Sequence, residues 1–240
     1  MNELVKIAKH IYAGEYQLLA GAGISLDSVN INGENLLSGR ELEGLIKNVK
    51  GVDGDYRLND LYELLDEREV ELFLTKGFTV YEPGKTTMKI LNLPWRRIWT
   101  LNIDDALERG CDAAGIDYKS INFNDIYSDV LPGELQIVHL HGFVGRSGDG
   151  YVFSLGEYSR ILHTPRPWFE ILAESISTEP FIICGTNFNE FDIEYYLGFM
   201  KDSIRPEAIP PSVYVNPNIG IVEKKSFKKK WGQYRTKVHL

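Results

Sequence analysis

The stretch LLAGAGISLDS, residues 18–28, decides the fold prediction because it joins an apolar run to a glycine-rich turn. Two leucines and an alanine have the continuous apolar character of a strand that is covered on both faces. Gly21, Ala22 and Gly23 follow at once. A strand that ends in closely spaced glycines often brings backbone N–H groups near an anion. The stretch therefore predicts an anion-binding turn after the first strand.

Apolar runs with strand character alternate with segments of helical spacing along the rest of the chain. The predicted strands are YQLLAG (16–21), RRIWTLN (96–102), QIVHLHG (136–142), PFIICG (180–185), SVYVNP (212–217) and, more weakly, YKSIN (118–122). The predicted helices include NELVKIAKHIY (2–12), GRELEGLIKNV (39–49), LNDLYELLDEREVELFLT (58–75), DDALERGCDAAG (104–115), WFEILAESI (168–176) and EFDIEYYLGFM (190–200). Such alternation predicts a Rossmann-like, doubly wound α/β fold with a mainly parallel sheet.

The section between the first two strong strands is too long for an ordinary crossover. Residues 27–95 are mostly helical in pattern and predict a helical insertion that covers one side of the site. We expect one catalytic domain over residues 1–222. Residues 223–240 then form a basic tail or the start of a further C-terminal region, because TKVHL (236–240) has the pattern of a beginning strand.

Composition and cysteine content limit the cellular compartment and the kinds of metal site that we expect. The chain has 240 residues, of which 43% are hydrophobic and 25% are charged, as in ordinary globular proteins. It has no apolar run long enough to span a bilayer and no signal-peptide pattern at its start, so we expect a cytoplasmic protein. Its two cysteines, Cys111 and Cys184, are far apart and cannot build a four-cysteine zinc ribbon, so we expect no metal.

The formal net charge of −8 argues against a nucleic-acid-binding surface over most of the chain. Residues 224–237 are the exception, since they contain seven basic residues and no acidic one. A solvated helix face or linker is the favoured interpretation of this tail, and an acidic partner or nucleic acid is the alternative.

Small or hydrogen-bonding residues follow every strong predicted strand. In an open parallel sheet the ligand binds beyond the carboxyl ends of the strands, at a topological switch point. The residues at those ends are Gly21, Ala22, Gly23 and Ser25; Asn102 and Asp104; His141; Gly185 and Thr186; and Asn216. A core by itself does not require this convergence, and it predicts one composite site.

Each feature also has a purely structural explanation. A third glycine, which a hydride-transfer fingerprint needs, is replaced by Leu26, so a dehydrogenase is disfavoured. Asn102 and Asp104 could cap the helix that begins near residue 105. His139 and His141 are expected on the same face of a strand, and one of them could be a hydrogen-bonded core histidine. His141 is the better functional candidate because it lies at the strand end.

Taken in order, G-A-G-I-S, T-x-N-x-D, H-G, G-T and V-x-V-N resemble the sirtuin superfamily, and most of all bacterial sirtuin-like NAD-hydrolysing domains of antiphage defence systems. The resemblance covers about residues 15–217. It implies NAD as a substrate. The family's pyrophosphate and ribose loop corresponds to Gly21, Ala22, Gly23 and Ser25, and its second such turn to Gly185 and Thr186.

The resemblance also implies the catalytic roles. It assigns His141 as the catalytic base, Asn102 as the residue that orients the nicotinamide ribose and the attacking group, and Asp104 as the residue that recognises the carboxamide. Asn216 corresponds to the residue near the adenosine ribose. Cleavage of the N-glycosidic bond develops an oxocarbenium-like ribose, and a histidine with an unperturbed pKa of about 6.5 suits the proton transfer.

Two departures from the deacylase pattern favour NAD hydrolysis to nicotinamide and ADP-ribose: the zinc ribbon is missing, and the loop after the first motif lacks the proline-aspartate-phenylalanine-arginine signature. A third departure, Asn187 where serine is common, concerns a phosphate contact. The alternatives are an NAD-dependent deacylase or ADP-ribosyltransferase, and a non-catalytic module that senses NAD or ADP-ribose. The resemblance further implies the effector of an abortive-infection system, held inactive until a homo-oligomer or a partner activates it. A HerA-type ATPase, an Argonaute-like module and a sensor domain are the candidate partners.

Overall fold

A parallel sheet forms the centre of the molecule. The computed structural model describes residues 3–126, 131–154, 156–157, 159, 168–186, 211–216, 219–231 and 237–239. In these ranges the strands are β1 (Gln17–Ala20), β2 (Val29–Asn30), β3 (Val80–Glu82), β4 (Ile98–Thr100), β5 (Tyr118–Asn122), β6 (Leu135–His139), β7 (Phe181–Cys184), β8 (Val213–Val215) and β9 (Lys237–His239). Seven of the described strands form one all-parallel sheet in the order β5-β6-β4-β1-β7-β8-β9. The predicted doubly wound α/β fold is confirmed.

Helices cover both faces of this sheet. The α-helices of the described ranges are α1 (Glu3–Tyr12), α2 (Gly39–Lys50), α3 (Leu58–Tyr62), α4 (Glu67–Glu69), α5 (Lys85–Leu91), α6 (Ala106–Ala114), α7 (Trp168–Thr178) and α8 (Ile221–Trp231). Short 3-10 helices span Ala22–Ile24 and Val144–Asp149. No helix in these ranges has the length and apolar character needed to cross a membrane. The predicted helix 190–200 and Asn187 lie outside the described residues.

The strand residues alternate between two apolar layers. Leu19, Trp99 and Val138 pack with α7 on one face, where Trp99 and Trp168 meet edge to face at 6.1 Å between ring centroids. Leu18 and Ile98 pack on the other face with side chains from α5 and α6. Burial on both faces explains why the strands have continuous apolar runs in the sequence.

The segment between β1 and β4 forms the predicted helical insertion. Its α2, α3 and π-helical residues build their own apolar cluster, in which Ile103, Ala106 and Val144 from the sheet region take part. The antiparallel pair β2–β3 belongs to this segment and was not predicted. The insertion therefore packs against the chain that follows β4 and β6, at the carboxyl end of the sheet.

The single helix predicted over 58–75 is wrong in detail. The chain ends α3 at Tyr62, starts α4 at Glu67 and continues as a π-helix over Val70–Lys76. Asp66 starts the second helix with a capping box, in which its carboxylate accepts from the Glu69 N–H and the Glu69 carboxylate accepts from the Asp66 N–H. Periodicity continues across this break, so it did not reveal the new helix start.

The basic tail lies partly on α8. Phe227 is buried, and its ring stacks on Tyr214 of β8 with 4.3 Å between the ring centroids. Lys225, Lys228 and Lys229 are exposed. Phe227 thus packs this helix against the sheet while these lysines are solvated.

The chain reverses its direction of winding at β1. β4, β6 and β5 lie on one side of β1, and β7, β8 and β9 lie on the other. At this switch point the turn after β1 contacts the turn after β7 through backbone: the Gly21 N–H donates to the Cys184 carbonyl at 3.0 Å and the Gly23 N–H to the Gly185 carbonyl at 2.8 Å. A Cβ on Gly21 would lie 2.6 Å from the Gly185 carbonyl oxygen.

We expect Gly185→Ala to destabilise the protein more than a positive φ alone explains. Gly185 has φ +73°, and a Cβ there would lie 2.6 Å from the Gly21 carbonyl oxygen. Left-handed backbone costs a non-glycine residue about 1–2 kcal/mol, and overpacking adds about 1–3 kcal/mol. Urea unfolding of the variant and the wild type measures the sum.

Gly33→Ala is the matched control for this measurement. Gly33 has φ +82°, but a Cβ there would meet nothing within 4 Å. We expect only the backbone cost of about 1–2 kcal/mol for this variant. Equal losses in the two variants would contradict the importance of the close approach between the two turns.

Candidate functional site

The carboxyl edge of the sheet gathers the residues that the sequence singled out. Residues of the first turn lie against Gly185 and Thr186, since a Cβ on Gly21 would lie 2.5 Å from the Thr186 Cβ. Asn102 and Asp104 follow β4, the neighbour of β1, and His141 follows β6, the neighbour of β4. The fold thus places these predicted residues along one edge, on both sides of the switch point.

Three predicted side chains form a direct hydrogen-bond chain. The Asn102 Nδ2 donates to the Ser25 Oγ at 3.2 Å, and the Ser25 Oγ donates to the Asp104 Oδ2 at 2.8 Å. The exposed fractions of Asn102, Ser25 and Asp104 are 8%, 2% and 5%. Buried polar groups need such partners, and these three satisfy one another across 79 residues of chain.

Asp104 has both a hydrogen bond to the start of α6 and a raised pKa. Its Oδ1 accepts from the Ala106 N–H at 3.1 Å, so it caps the first turn of α6, whereas the Asn102 side chain points to Ser25. Burial raises the pKa of Asp104 to about 6, although the bonds from Ser25 and Ala106 act in the opposite direction. The capping explanation therefore applies to Asp104 and not to the Asn102 side chain.

His141 lies beside the end of β4. Thr100 and His139 are register partners in the parallel pair β4–β6, and the Leu140 N–H donates to the Thr100 carbonyl at 3.0 Å. Asn102 and His141 are each two residues beyond those partners. His141 is 5% exposed, and its ring centroid lies 6.0 Å from that of Phe169 in α7.

His139 is the hydrogen-bonded core histidine that the sequence left as an alternative. It is fully buried; its Nε2 lies 2.8 Å from the Glu108 Oε1 and its Nδ1 lies 3.1 Å from the Asn102 carbonyl oxygen. Burial lowers the pKa of His139, but the charge and hydrogen bond of Glu108 outweigh this effect, and the net shift is upward. His141 lies beyond the strand, because β6 ends at His139. The alternation of strand side chains therefore does not determine which face His141 lies on.

The glycine turn uses most of its own N–H groups. Gly21 and Gly23 donate to the β7 turn, while Ile24 and Ser25 donate to the carbonyls of Gly21 and Ala22. Ala22 is the first residue of the short 3-10 helix, where backbone N–H groups have no partner within the helix. The close approach between the two turns therefore explains why residues 21 and 23 are glycines. The Ala22 N–H is the donor of this turn that can bind an anion.

A side-chain relay joins the ends of β7 and β8. The Asn216 Nδ2 donates to the Tyr214 hydroxyl at 2.9 Å, and this hydroxyl donates to the Thr186 carbonyl at 2.9 Å. Sequence reasoning selected Thr186 and Asn216 but missed Tyr214, whose pattern is that of a buried strand residue. Nothing in its local pattern indicates the hydroxyl contact.

A cavity among the described residues lies elsewhere. It measures about 440 Å³ and lies between the insertion and the segment after β6, where Tyr62, Thr75 and Tyr151 are among its lining residues. None of Ser25, Asn102, Asp104 and His141 lines it. The buried, hydrogen-bonded polar residues at the switch point are the stronger indication of a site, because doubly wound sheets bind their ligands at that place. In the described ranges, no three His, Cys, Asp or Glu side chains come together as metal ligands would.

Comparison with known proteins identifies the family of this chain. The model of the SIR2-like domain family matches residues 96–238, more than half of the chain. The chain belongs to the SIR2-like domain family. Its matched part includes the T-x-N-x-D, H-G, G-T and V-x-V-N segments, so the resemblance noted from the sequence is confirmed at the level of the family.

One curated relative of this SIR2-like chain is the NAD(+) hydrolase ThsA of Acinetobacter baumannii (strain 532279), with 24% identity over 202 residues. The match covers 82% of this chain, which spans 41% of the relative's length. A solved structure described as "Structural Basis for the Mechanism and Regulation of Sir2 Enzymes" has 13% identity, a TM-score of 0.46 and 98% coverage of both chains.

We expect the stability of the protein to fall as the pH rises from about 4 to about 6, in part because of Asp104. In the unfolded chain this carboxyl ionises near the ordinary aspartate pKa of 3.8, but in the folded protein it stays protonated to about 6. The folded state then binds more protons, so the free energy of unfolding decreases by about 3 kcal/mol over this window and stays lower above it.

Asp104→Asn removes this step. Denaturant unfolding at several pH values should show the stability difference between wild type and variant falling between pH 4 and 6 by about 3 kcal/mol. Asp117→Asn, which removes an exposed acid, is the control and should leave the step in place. A pH-independent difference for Asp104→Asn would contradict the upward shift.

Proposed function

We propose that this SIR2-like domain is an NAD glycohydrolase. In the reaction, NAD⁺ and water yield nicotinamide, ADP-ribose and one proton. The observation that carries the proposal is the buried hydrogen-bond chain Asn102–Ser25–Asp104 at the switch point, with His141 just beyond the end of β6, the neighbour of β4. The relative named as an NAD(+) hydrolase supports the choice of substrate.

In this proposal NAD lies across the two turns of the switch point. The pyrophosphate lies against Gly21, Ala22 and Gly23, with the Ala22 N–H as donor, and the second turn, Gly185 and Thr186, contacts the neighbouring ribose. Asn216 lies toward the adenosine ribose. Dinucleotides bind at this place in doubly wound sheets because the strand ends diverge there and leave a crevice.

The bond between ribose C1′ and the pyridinium nitrogen breaks with its electron pair moving to nitrogen, so nicotinamide leaves as a neutral molecule. No strong general acid is needed for this step. The Asp104 carboxylate accepts from the carboxamide NH₂, and with a pKa of about 6 it is ionised at pH 7.5. The positive charge that develops on the ribose is oxocarbenium-like, as in other glycoside cleavages.

Water completes the reaction at C1′. Asn102 orients this water, since an amide can accept from it without adding charge to the site. His141 accepts the proton that water releases as the new C–O bond forms, which is the work of a general base. The same geometry would orient a ribose hydroxyl if an acyl-lysine were the acceptor.

We expect His141→Ala and Asn102→Ala each to lower kcat for nicotinamide release by about 10²–10⁴-fold, since both remove a group that acts on the attacking water. Chromatography of NAD incubations measures nicotinamide and ADP-ribose. His10→Ala is the matched control because His10 is exposed and pairs with Glu15 far from the edge. Wild-type turnover in His141→Ala would contradict the mechanism.

Parallel incubations with an acetylated peptide separate hydrolysis from deacylation. Turnover that needs the peptide and yields acetylated ADP-ribose would overturn the proposed hydrolase. Binding of NAD by calorimetry with no consumption on long incubation would assign a sensing module instead.

We also propose that NAD consumption serves antiphage defence and is controlled by a homo-oligomer or a partner protein. The resemblance to defence-associated sirtuin-like domains supports this role. Expression in a phage-challenged bacterial host should deplete cellular NAD only after infection, and His141→Ala should abolish the depletion. NAD levels that stay constant during infection, with the purified domain active, would contradict the defence role while leaving the enzyme assignment intact.

A further inference from the structure

The fully buried His139 ring is bonded at both nitrogens. One neighbour is the Glu108 Oε1 of α6, at 2.8 Å from Nε2, and the other is the Asn102 main-chain carbonyl, at 3.1 Å from Nδ1. The ring also lies against Phe143, with 4.4 Å between the ring centroids. His139 thus connects a helix to the chain that carries Asn102.

The partners determine where the protons are. A carbonyl oxygen only accepts, so the bond to Asn102 requires a proton on Nδ1. One further proton lies between Nε2 and Glu108, either on the ring or on the carboxyl. In both cases Nδ1–H donates to Asn102 and the pair as a whole is neutral. The Ser120 Oγ donates to the same Glu108 oxygen at 2.6 Å and holds the carboxyl in place.

Core stability does not account well for this pair. Apolar residues of similar volume often stabilise a core as much as a buried ion pair or more. The second carboxyl oxygen, Glu108 Oε2, is buried and has no hydrogen-bond partner among the described residues. A buried acceptor without a partner costs about 1–3 kcal/mol. The arrangement is therefore better explained by what it does to Asn102.

Asn102 is held by its backbone on both sides. Its N–H donates to the Thr100 Oγ1 at 3.0 Å, and its carbonyl accepts from His139. Its side chain donates to the Ser25 Oγ at 3.2 Å. The two main-chain bonds fix the backbone from which this amide extends, so they help to set its orientation.

We propose that His139, held by Glu108, is a positioning residue that orients Asn102 through its carbonyl for the attack on NAD. The proposal rests on the proposed function of the site. Small misplacements of a group that orients reactants reduce rates by up to about 10²-fold, so removal of the Nδ1 donor lowers kcat and changes KM little.

Three variants of His139 test this. His139→Leu removes both ring bonds at similar volume. His139→Asn places an amide N–H near the position of Nδ1 and keeps a donor for the Asn102 carbonyl. His139→Gln places its amide near the position of Nε2, toward Glu108. We expect kcat for NAD to fall about 10- to 100-fold in the Leu and Gln variants, with KM within about threefold. The Asn variant should recover to within about threefold of the wild type.

Comparison of His139→Asn with His139→Gln distinguishes a positioning role from a general structural role, because the two variants differ in where the amide lies. If the pair only stabilised the core, the folded fractions of all three variants would retain wild-type kcat, and Asn and Gln would not differ. That result overturns the proposal. Near-UV circular dichroism and thermal unfolding establish which variants are folded, and if His139→Leu does not fold, the Asn and Gln variants decide.

Nitrogen-15 NMR gives a readout that needs no activity. The His139 ring should show a protonated Nδ1 in the folded wild type, and an unprotonated Nδ1 overturns the proposal. The Asn102 side-chain amide signal, identified by its loss in Asn102→Ala, should shift in His139→Gln and stay near its wild-type position in His139→Asn. A wild type with these signals but no NAD turnover would overturn the proposed function alone.

Discussion

The contact between the turn after β1 and the turn after β7 is the constraint on which the site depends. Two N–H groups of the first turn donate to carbonyls at the end of β7 and in the turn beyond, and the two backbones approach so closely that a Cβ on Gly21 or Gly185 would collide. The contact lies where the sheet reverses its winding, so it fixes the relation between the two halves of the fold. It also leaves Ser25, just past the turn, facing Asp104.

From that point the polar residues are held in a series. Ser25 bonds Asp104 and Asn102, Asp104 caps α6, and α6 presents Glu108 to His139, which returns to the Asn102 carbonyl. Each link is buried, and a buried polar group without a partner is costly, so the set is most stable when it is complete. Substitution of one member therefore disturbs the others, and effects within the set are not expected to be additive.

Burial also explains the unusual electrostatics of this edge. Desolvation raises the pKa of Asp104 to about 6, while the charge of Glu108 raises that of His139 against the effect of its own burial. The helical insertion is bonded to the same edge, because the N–H of its Val80 donates to the Asp105 Oδ1 at 2.6 Å.

The amino-acid sequence by itself determined the strand order along the chain, the helical insertion and the strand ends at which polar residues collect, because burial on two faces and tight turns leave strong local patterns. It did not reveal the break after Tyr62, because the apolar periodicity continues across the new helix start. Nor did it reveal the β2–β3 pair or the Tyr214 relay, which depend on hydrogen bonds between residues far apart in the chain. Only the tertiary structure decided that Asp104 caps a helix while Asn102 turns to Ser25, and that His139 is the core histidine. The physical reason is that a side chain's partner is set by which strand ends lie side by side, and that order exists only once the sheet has formed.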